Sequence, residues 1–303
     1  MRFPRPWFFA LLLSCWAPLA GQRVAQVPFE LSDNLIFFQL HVNGSRALNF
    51  MFDSGAGVTV VNRKAAEGLG LTYAGTSQIG TSGRKIRSDS SPDNTLRIEE
   101  AFLEGIPLEV IGLDHLANYL RRPVDGIIGF DLFERYVIAI DADRQVLGIY
   151  ASMDGVDTSG YTLVPSYRID NNKIGIETSL GSLEGGELSY IMTLDTANPD
   201  ALFLFPNALV ADGIALKKGR KVVRGFSADT TITKNLRGKI RSVSFAGGEW
   251  KNVRTVLPTD PVTLASSSGG ESFGLIGQEL LLEFNMIYDY RKNRIYFQQR
   301  EKR

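Results

Sequence analysis

The chain has 303 residues, 44% of them apolar and 22% charged, with 33 basic and 33 acidic side chains. A balanced charge without a basic stripe argues against a nucleic-acid binder, and the ordinary composition argues against a disordered or fibrous chain. The single cysteine, Cys15, and two histidines, His41 and His115, leave the body of the protein no disulfide, no cysteine nucleophile and no histidine metal cluster. Chemistry then falls to carboxylates.

Residues 1–21 read as an export signal. Arg2 and Arg5 precede the apolar run 7–13 (WFFALLL), and Ala17, Ala20 and Gly21 follow as small residues near a cleavage site. The run is far shorter than the roughly 20 residues a bilayer span takes. An exported protein, periplasmic or secreted, is expected. The alternative is a lipid anchor at Cys15, because Leu12-Leu13-Ser14-Cys15 resembles a lipoprotein signal. No later segment is long and apolar enough to span a membrane.

From residue 26 onward, short apolar runs are broken every 8–12 residues by Gly, Asn, Asp or Ser, the pattern of a mostly-β chain. Residues 35–42 (LIFFQLHV) and 47–52 (ALNFMF) flank Asn43-Gly44 and predict a hairpin with a type I′ turn. Further strands are predicted at 137–141, 146–150, 286–290 and 294–297. Helices are few and brief, at 63–69, 115–120 and 131–135.

The chain also repeats itself. GFDLFERYVIAIDADRQVLGIY from Gly129 matches GQELLLEFNMIYDYRKNRIYF from Gly277, each with an Asp 12 residues after its Gly. Gly126-Ile127-Ile128-Gly129 and Gly274-Leu275-Ile276-Gly277 stand at the head of the two copies. Upstream, apolar strands run into Asp53-Ser54-Gly55 and Asp195-Thr196-Ala197, 73 and 79 residues before those glycine motifs. The duplicated units span 27–151 and 163–303, joined by a linker at 152–162 that contains GVDTSG.

Asp53 ends an apolar strand beside small residues, where its carboxylate can accept backbone N–H bonds, and Gly55 allows close backbone approach. An Asp-Ser turn after a strand is common by itself. Its recurrence at Asp195 gives it weight, because two copies about a pseudo-twofold bring their Asp residues together at the axis. Two touching carboxylates cannot both ionise, so they share a proton and can hold a water between an acid and a base.

These motifs resemble those of aspartic proteases of the retropepsin/pepsin type, most closely the tandem retropepsin-like proteins exported by bacteria, of which VDGIIGFDLFERYVIAID is typical. The resemblance covers nearly the whole mature chain. It implies two homologous β-barrel-like lobes with a cleft between them, and an endopeptidase acting on extended peptide or protein substrates without metal or cofactor. Asp53 and Asp195 would form the catalytic dyad. Ser54 and Thr196 would interlock the two motif loops, which Gly55 and Ala197 complete, and the apolar pairs 127–128 and 275–276 would thread behind them as core. With both dyad members in one chain, a monomer is expected to be competent.

Each lobe should carry a substrate-covering hairpin: 79–86, with Gly80, Thr81, Ser82 and Gly83 at its tip, and 223–228, with Gly225, Phe226 and Ser227. A plain surface hairpin explains either equally well. The second motif departs from the family pattern, since Ala197 replaces Gly and Asn198-Pro199 follows. The added Cβ is expected to restrict the loop and shift the N–H that steadies the dyad, with Asn198 donating instead to the outer oxygen of Asp195. A non-catalytic peptide-binding module on the same fold is therefore the alternative. Neither motif has Ser or Thr directly after its third residue, and fewer hydrogen bonds to the ionised form predict activity at mildly acidic pH, about 4–6.5. Asp125-Gly126 reads as a turn, His41 as a strand residue and Gly68-Leu69-Gly70 as a helix-ending turn.

Overall fold

The first half opens with β1 (Arg23–Pro28), β2 (Glu30–Ser32), β3 (Leu35–Val42), β4 (Leu48–Phe52) and β5 (Thr59–Asn62), followed by helix α1 (Arg63–Ala66). Next come β6 (Gly75–Thr81), β7 (Arg84–Ile98), β8 (Ala101–Ile111) and α2 (Asp114–Leu120), then β9 (Gly126–Ile128), α3 (Phe130–Arg135), β10 (Val137–Asp141) and β11 (Val146–Tyr150). The second half runs through β12 (Thr162–Ile169), β13 (Lys173–Gly181), β14 (Glu187–Asp195), β15 (Leu202–Leu204), β16 (Lys221–Phe226), β17 (Ile232–Phe245) and β18 (Gly248–Pro258). It ends with β19 (Gly274–Gly277), α4 (Gln278–Leu281), β20 (Phe284–Asp289) and β21 (Arg294–Gln299). This computed structural model describes residues 23–81, 84–169, 172–182, 185–205, 216, 221–226, 228, 232–259 and 272–301. The expected export signal with Cys15, and the hairpin residues Ser82, Gly83 and Ser227, lie outside the described residues.

The strand order of the first lobe is β2-β3-β4-β9-β5-β8-β7-β6, and β3 pairs again with β7 to curl the sheet on itself. The second lobe repeats it term by term, β12-β13-β14-β19-β15-β18-β17-β16, with β13 pairing β17. Parallel pairs fall at matching places, β4 with β9 and β5 with β8, then β14 with β19 and β15 with β18. The strand order of one half is thus matched by the other.

A third arrangement ties the lobes together. β1-β11-β10 from the first half and β20-β21-β12 from the second form one antiparallel run of six strands. At its centre Ile138 pairs Tyr288, Ala139 pairs Ile287 and Ile140 pairs Met286. β12 serves both sheets, pairing β21 through Thr162–Pro165 and β13 through Ser166–Ile169. In the first half the same work is split between β1 and β2.

β3 explains its own composition. Ile36, Phe38, Leu40 and Val42 point into the main core, while Leu35 and Phe37 point to a smaller apolar cluster on the opposite face. Both faces are buried where the strand begins, so an unbroken apolar run replaces strict alternation. The Asn43-Gly44 turn has φ of 49° and 74°, with Ser45 N–H donating to Val42 O at 2.9 Å, as a type I′ turn requires. Helix α1 stops at Ala66 rather than reaching 69, because Glu67 turns extended with ψ of 120° and Gly68 and Gly70 follow in left-handed conformations, φ +84° and +65°. Tyr290, expected in a strand, opens a short 3₁₀ turn, and α4 is the second-lobe copy of α3.

Candidate active site

β4 and β14 deliver Asp53 and Asp195 to one point at the junction of the lobes. A Cβ placed on Gly55 would lie 3.1 Å from Asp195 Cγ and 3.1 Å from Asp53 Oδ1, so the two carboxyl groups flank that glycine and reach hydrogen-bond contact with each other. Each loop folds back on its own carboxylate. Gly55 N–H donates to Asp53 Oδ1 at 2.7 Å, and Ala197 N–H donates to Asp195 Oδ1 at 2.9 Å.

Beneath the carboxyls, Ser54 and Thr196 cross over. Ser54 N–H donates to Thr196 Oγ1 at 2.9 Å, and Thr196 N–H donates to Ser54 Oγ at 3.1 Å. Each hydroxyl then donates to the strand of the opposite lobe: Ser54 Oγ to Leu194 O at 2.8 Å, Thr196 Oγ1 to Phe52 O at 3.0 Å. Both residues are buried, so all four bonds are shielded from competing water.

β9 and β19 back the loops. Asp53 N–H donates to Ile128 O at 2.9 Å, and Thr193, Leu194 and Asp195 align in parallel with Leu275, Ile276 and Gly277. Gly129 and Gly277 close these strands where any Cβ would collide with loop backbone, at 2.2 Å from Asp53 O and 2.1 Å from Asp200 O. Under the first loop, Phe133 packs 5.0 Å from Phe52 and stacks on Tyr290 at 4.6 Å. The Tyr290 hydroxyl donates to Ser54 O at 3.3 Å.

Burial, then the charge of Asp195, pushes Asp53 up to about 8, against the pull of the Gly55 and Ala56 N–H groups and of Lys173. Burial raises Asp195 too, opposed first by Lys173 and then by the N–H groups of Ala197 and Asn198. In so symmetric a pair the proton belongs to the dyad rather than to one member. Both shifts run the same way, so the dyad holds a proton to higher pH than two separate carboxylates would. Among the described residues no group of His, Cys, Asp and Glu side chains has the arrangement of a metal site.

Residues 38–132 match a family model described as aspartyl protease. The crystal structure of aspartic proteinase from Irpex lacteus is similar to this chain with a TM-score of 0.57, covering 91% of this chain and 97% of that one at 14% identity. The first lobe is an aspartyl-protease domain, and the chain carries the aspartic-proteinase fold. Family and fold together mark an aspartic-type hydrolase. No curated protein matches the chain in sequence.

In this chain the second motif departs less in geometry than in composition. The Ala197 methyl packs against the small apolar cluster of the first lobe, and its N–H keeps the bond to Asp195. The expectation that the added Cβ displaces that N–H is corrected. Asn198 does donate to Asp195, but not through its side chain: its Oδ1 accepts from Asp200 N–H at 3.2 Å, and among the described residues its Nδ2 has no partner. The backbone N–H of Asn198 serves Asp195.

Of the hairpin residues, Gly80 and Thr81 end β6 opposite Lys85 and Arg84, and Gly225 and Phe226 end β16 opposite Thr233 and Ile232. Ile79 of the first hairpin belongs to the small apolar cluster, and Ala228, just past β16, packs on it together with Ala56 and Ala197. Both hairpins thus border the wall beside the dyad loops. Asp125 ties strands, accepting from Asn49 N–H at 2.8 Å, and His41 contacts Ser45 O in the neighbouring turn. Neither approaches the dyad's hydrogen bonds.

Two contributors leave no local mark in the sequence. Tyr290 continues a strand pattern in sequence, and its place under Ser54 depends on the shared sheet. Lys173 was unremarked, although its charge favours the ionised form of both carboxyls. Aligning KIGIETSLG with LIFFQLHV on the hairpin register would have found it, because Lys173 then falls on Leu35.

Proposed function

We propose that the protein is an exported aspartic endopeptidase that hydrolyses peptide bonds with a water activated between Asp53 and Asp195. One observation carries the reading: two raised, touching carboxyls at the junction of the lobes, each held by the N–H two residues on.

An extended peptide lies in the cleft with its scissile carbonyl over the dyad. The ionised carboxylate takes a proton from the water as its oxygen attacks the carbonyl carbon, and the protonated partner gives its proton to the carbonyl oxygen. The resulting gem-diol loses a proton to the dyad, the C–N bond breaks, and the amine leaves with a proton. The dyad ends as it began, with one proton. Ser54 and Thr196 keep the two carboxyls in register through this exchange, and Gly55 leaves room for the water between them.

The alternative, a peptide-binding module with a degenerate second motif, drew its support from Ala197 and Asn198. The retained Ala197 N–H bond at 2.9 Å favours the catalytic reading. Export is supported by the basic and apolar pattern of residues 1–21, with anchoring through Cys15 as its variant. A monomer is supported by the presence of both dyad members in one chain. The test is a peptide-library digest across pH together with a dilution series. Cleavage that needs no added metal and a specific activity independent of protein concentration are expected. Peptide binding without cleavage at every pH would favour the module instead, and activity falling on dilution would contradict the monomer.

A further inference from the structure

The strand faces that flank the dyad are twofold mates with different chemistry. Hairpin register equates Met51, two residues before Asp53, with Thr193, two before Asp195. Their cross-strand partners are Phe37 and Gly175, so Leu35 is matched by Lys173. The burial patterns agree: Gln39 and Glu177 are the exposed positions of their strands, and Ile36 and Phe38 correspond to the buried Ile174 and Ile176. In the first lobe Leu35, Phe37 and Met51 join Ile79, Leu116 and Ile127 in one buried apolar cluster, and the only cation on it, Arg122 over the Phe37 ring at 3.9 Å among the described residues, is paired with Glu30. In the second lobe the same positions hold a cation, no side chain and a hydroxyl.

Lys173 is half-buried on that face. Among the described residues it enters none of the ion pairs. It begins β13, the strand that pairs along β14 toward Asp195, and its charge favours the ionised form of both dyad carboxyls. A substrate strand lying across a pseudo-twofold presents the residues on either side of its scissile bond to twofold-related walls, one from each lobe. One of those residues meets the apolar cluster. The other meets Lys173.

We infer that Lys173 is a specificity-determining residue that selects peptides with a carboxylate side chain on the second-lobe side of the scissile bond and an apolar side chain on the first-lobe side. The inference rests on the protease reading and names its substrate class. A carboxylate there replaces the water around the ammonium with a direct ion pair. It also offsets the repulsion that an acidic peptide otherwise meets from the charged dyad.

The test uses paired peptides that differ only in Glu, Gln or Lys at the position flanking the scissile bond, assayed at pH 5.5–6 with the full-length protein. Wild type should favour Glu over Gln by about fivefold in kcat/KM. Lys173→Gln should bring the ratio near one, Lys173→Arg should keep it, and Lys173→Glu should turn the preference toward the Lys peptide. A ratio within one peptide pair is insensitive to any general effect of the substitution on folding or on the dyad. Equilibrium binding of the same pairs is measured alongside. If no peptide is cut, the protease reading fails, and the Glu-to-Gln binding ratio in wild type against Lys173→Gln still decides the role of Lys173. Cleavage or binding with no Glu preference in wild type, or with a preference that Lys173→Gln leaves intact, overturns the inference.

Discussion

Ser54 and Thr196, 142 residues apart in sequence, each accept the other's backbone N–H and each donate into the other's strand. This double exchange makes the position of one motif loop depend on the other. Removing either hydroxyl leaves buried N–H and C=O groups without partners. Ser54→Ala and Thr196→Ala should each cost about 2–4 kcal/mol of stability, and Thr196→Ser should cost much less. Denaturant melts of the three variants measure this, and an Ala variant as stable as wild type would show that the lobes hold their register by the shared sheet alone.

Gly55 and Ala197 occupy matched positions but should not respond alike to exchange. A Cβ on Gly55 would stand 3.1–3.2 Å from atoms of both carboxyls, in the space proposed for the attacking water. Gly55→Ala should reduce kcat by at least about a hundredfold, with modest loss of stability. Ala197→Gly should keep activity, because the bond to Asp195 is made by backbone. Steady-state kinetics on one good peptide decide the comparison, and equal losses in the two variants would go against it.

The dyad should also make the fold sensitive to pH. Asp53 is raised from an unfolded value near 3.9 to about 8, so between these limits the native state keeps a proton that the unfolded chain has released. Its contribution to stability is therefore intact below about pH 4 and declines as pH rises toward 8. Asp53→Asn removes the penalty. It should melt like wild type at pH 4 and be more stable by about 1–3 kcal/mol at pH 8. Thermal melts at the two pH values provide the check, and a variant less stable than wild type at pH 8 would contradict the assigned sign.

The same titration bounds activity. One carboxyl must be ionised and one protonated, so the rate should form a bell in pH, and the raised value places its falling limb near 8 for the free enzyme. That limb lies above the mildly acidic range of about 4–6.5 expected from the motif residues alone. Lys173 favours the ionised form, so Lys173→Gln should move the falling limb to higher pH. Profiles of kcat/KM for both proteins test the direction.

The strands and the dyad were legible because they depend on local signals that were duplicated. Asn43-Gly44 marks its turn by two left-handed positions, and Asp53 and Asp195 stand out because each copy authenticates the other. Gly129 and Gly277 belong to the same class, since close backbone approach leaves room only for glycine, and Gly129→Ala should cost more than about 3 kcal/mol. The six-stranded shared sheet was not legible. The pairing of Ile138 with Tyr288 joins strands 150 residues apart, and no local pattern specifies it. For the same reason Tyr290 read as one more strand residue, although it donates to Ser54 across that sheet. Lys173 was hidden by its charge. A cation at the start of a strand reads as solvated until register places it opposite Leu35.

The most direct test of the account is the turnover of Asp53→Asn and Asp195→Asn beside wild type on a single cleavable peptide, with each variant shown to be folded by its melting transition. An amide can neither take the water's proton nor share one with its neighbour. The account predicts that both variants are folded and that both lose cleavage by at least about three orders of magnitude. A folded Asp195→Asn that keeps wild-type turnover would show that the second lobe supplies no catalytic carboxyl and would contradict the single-chain dyad.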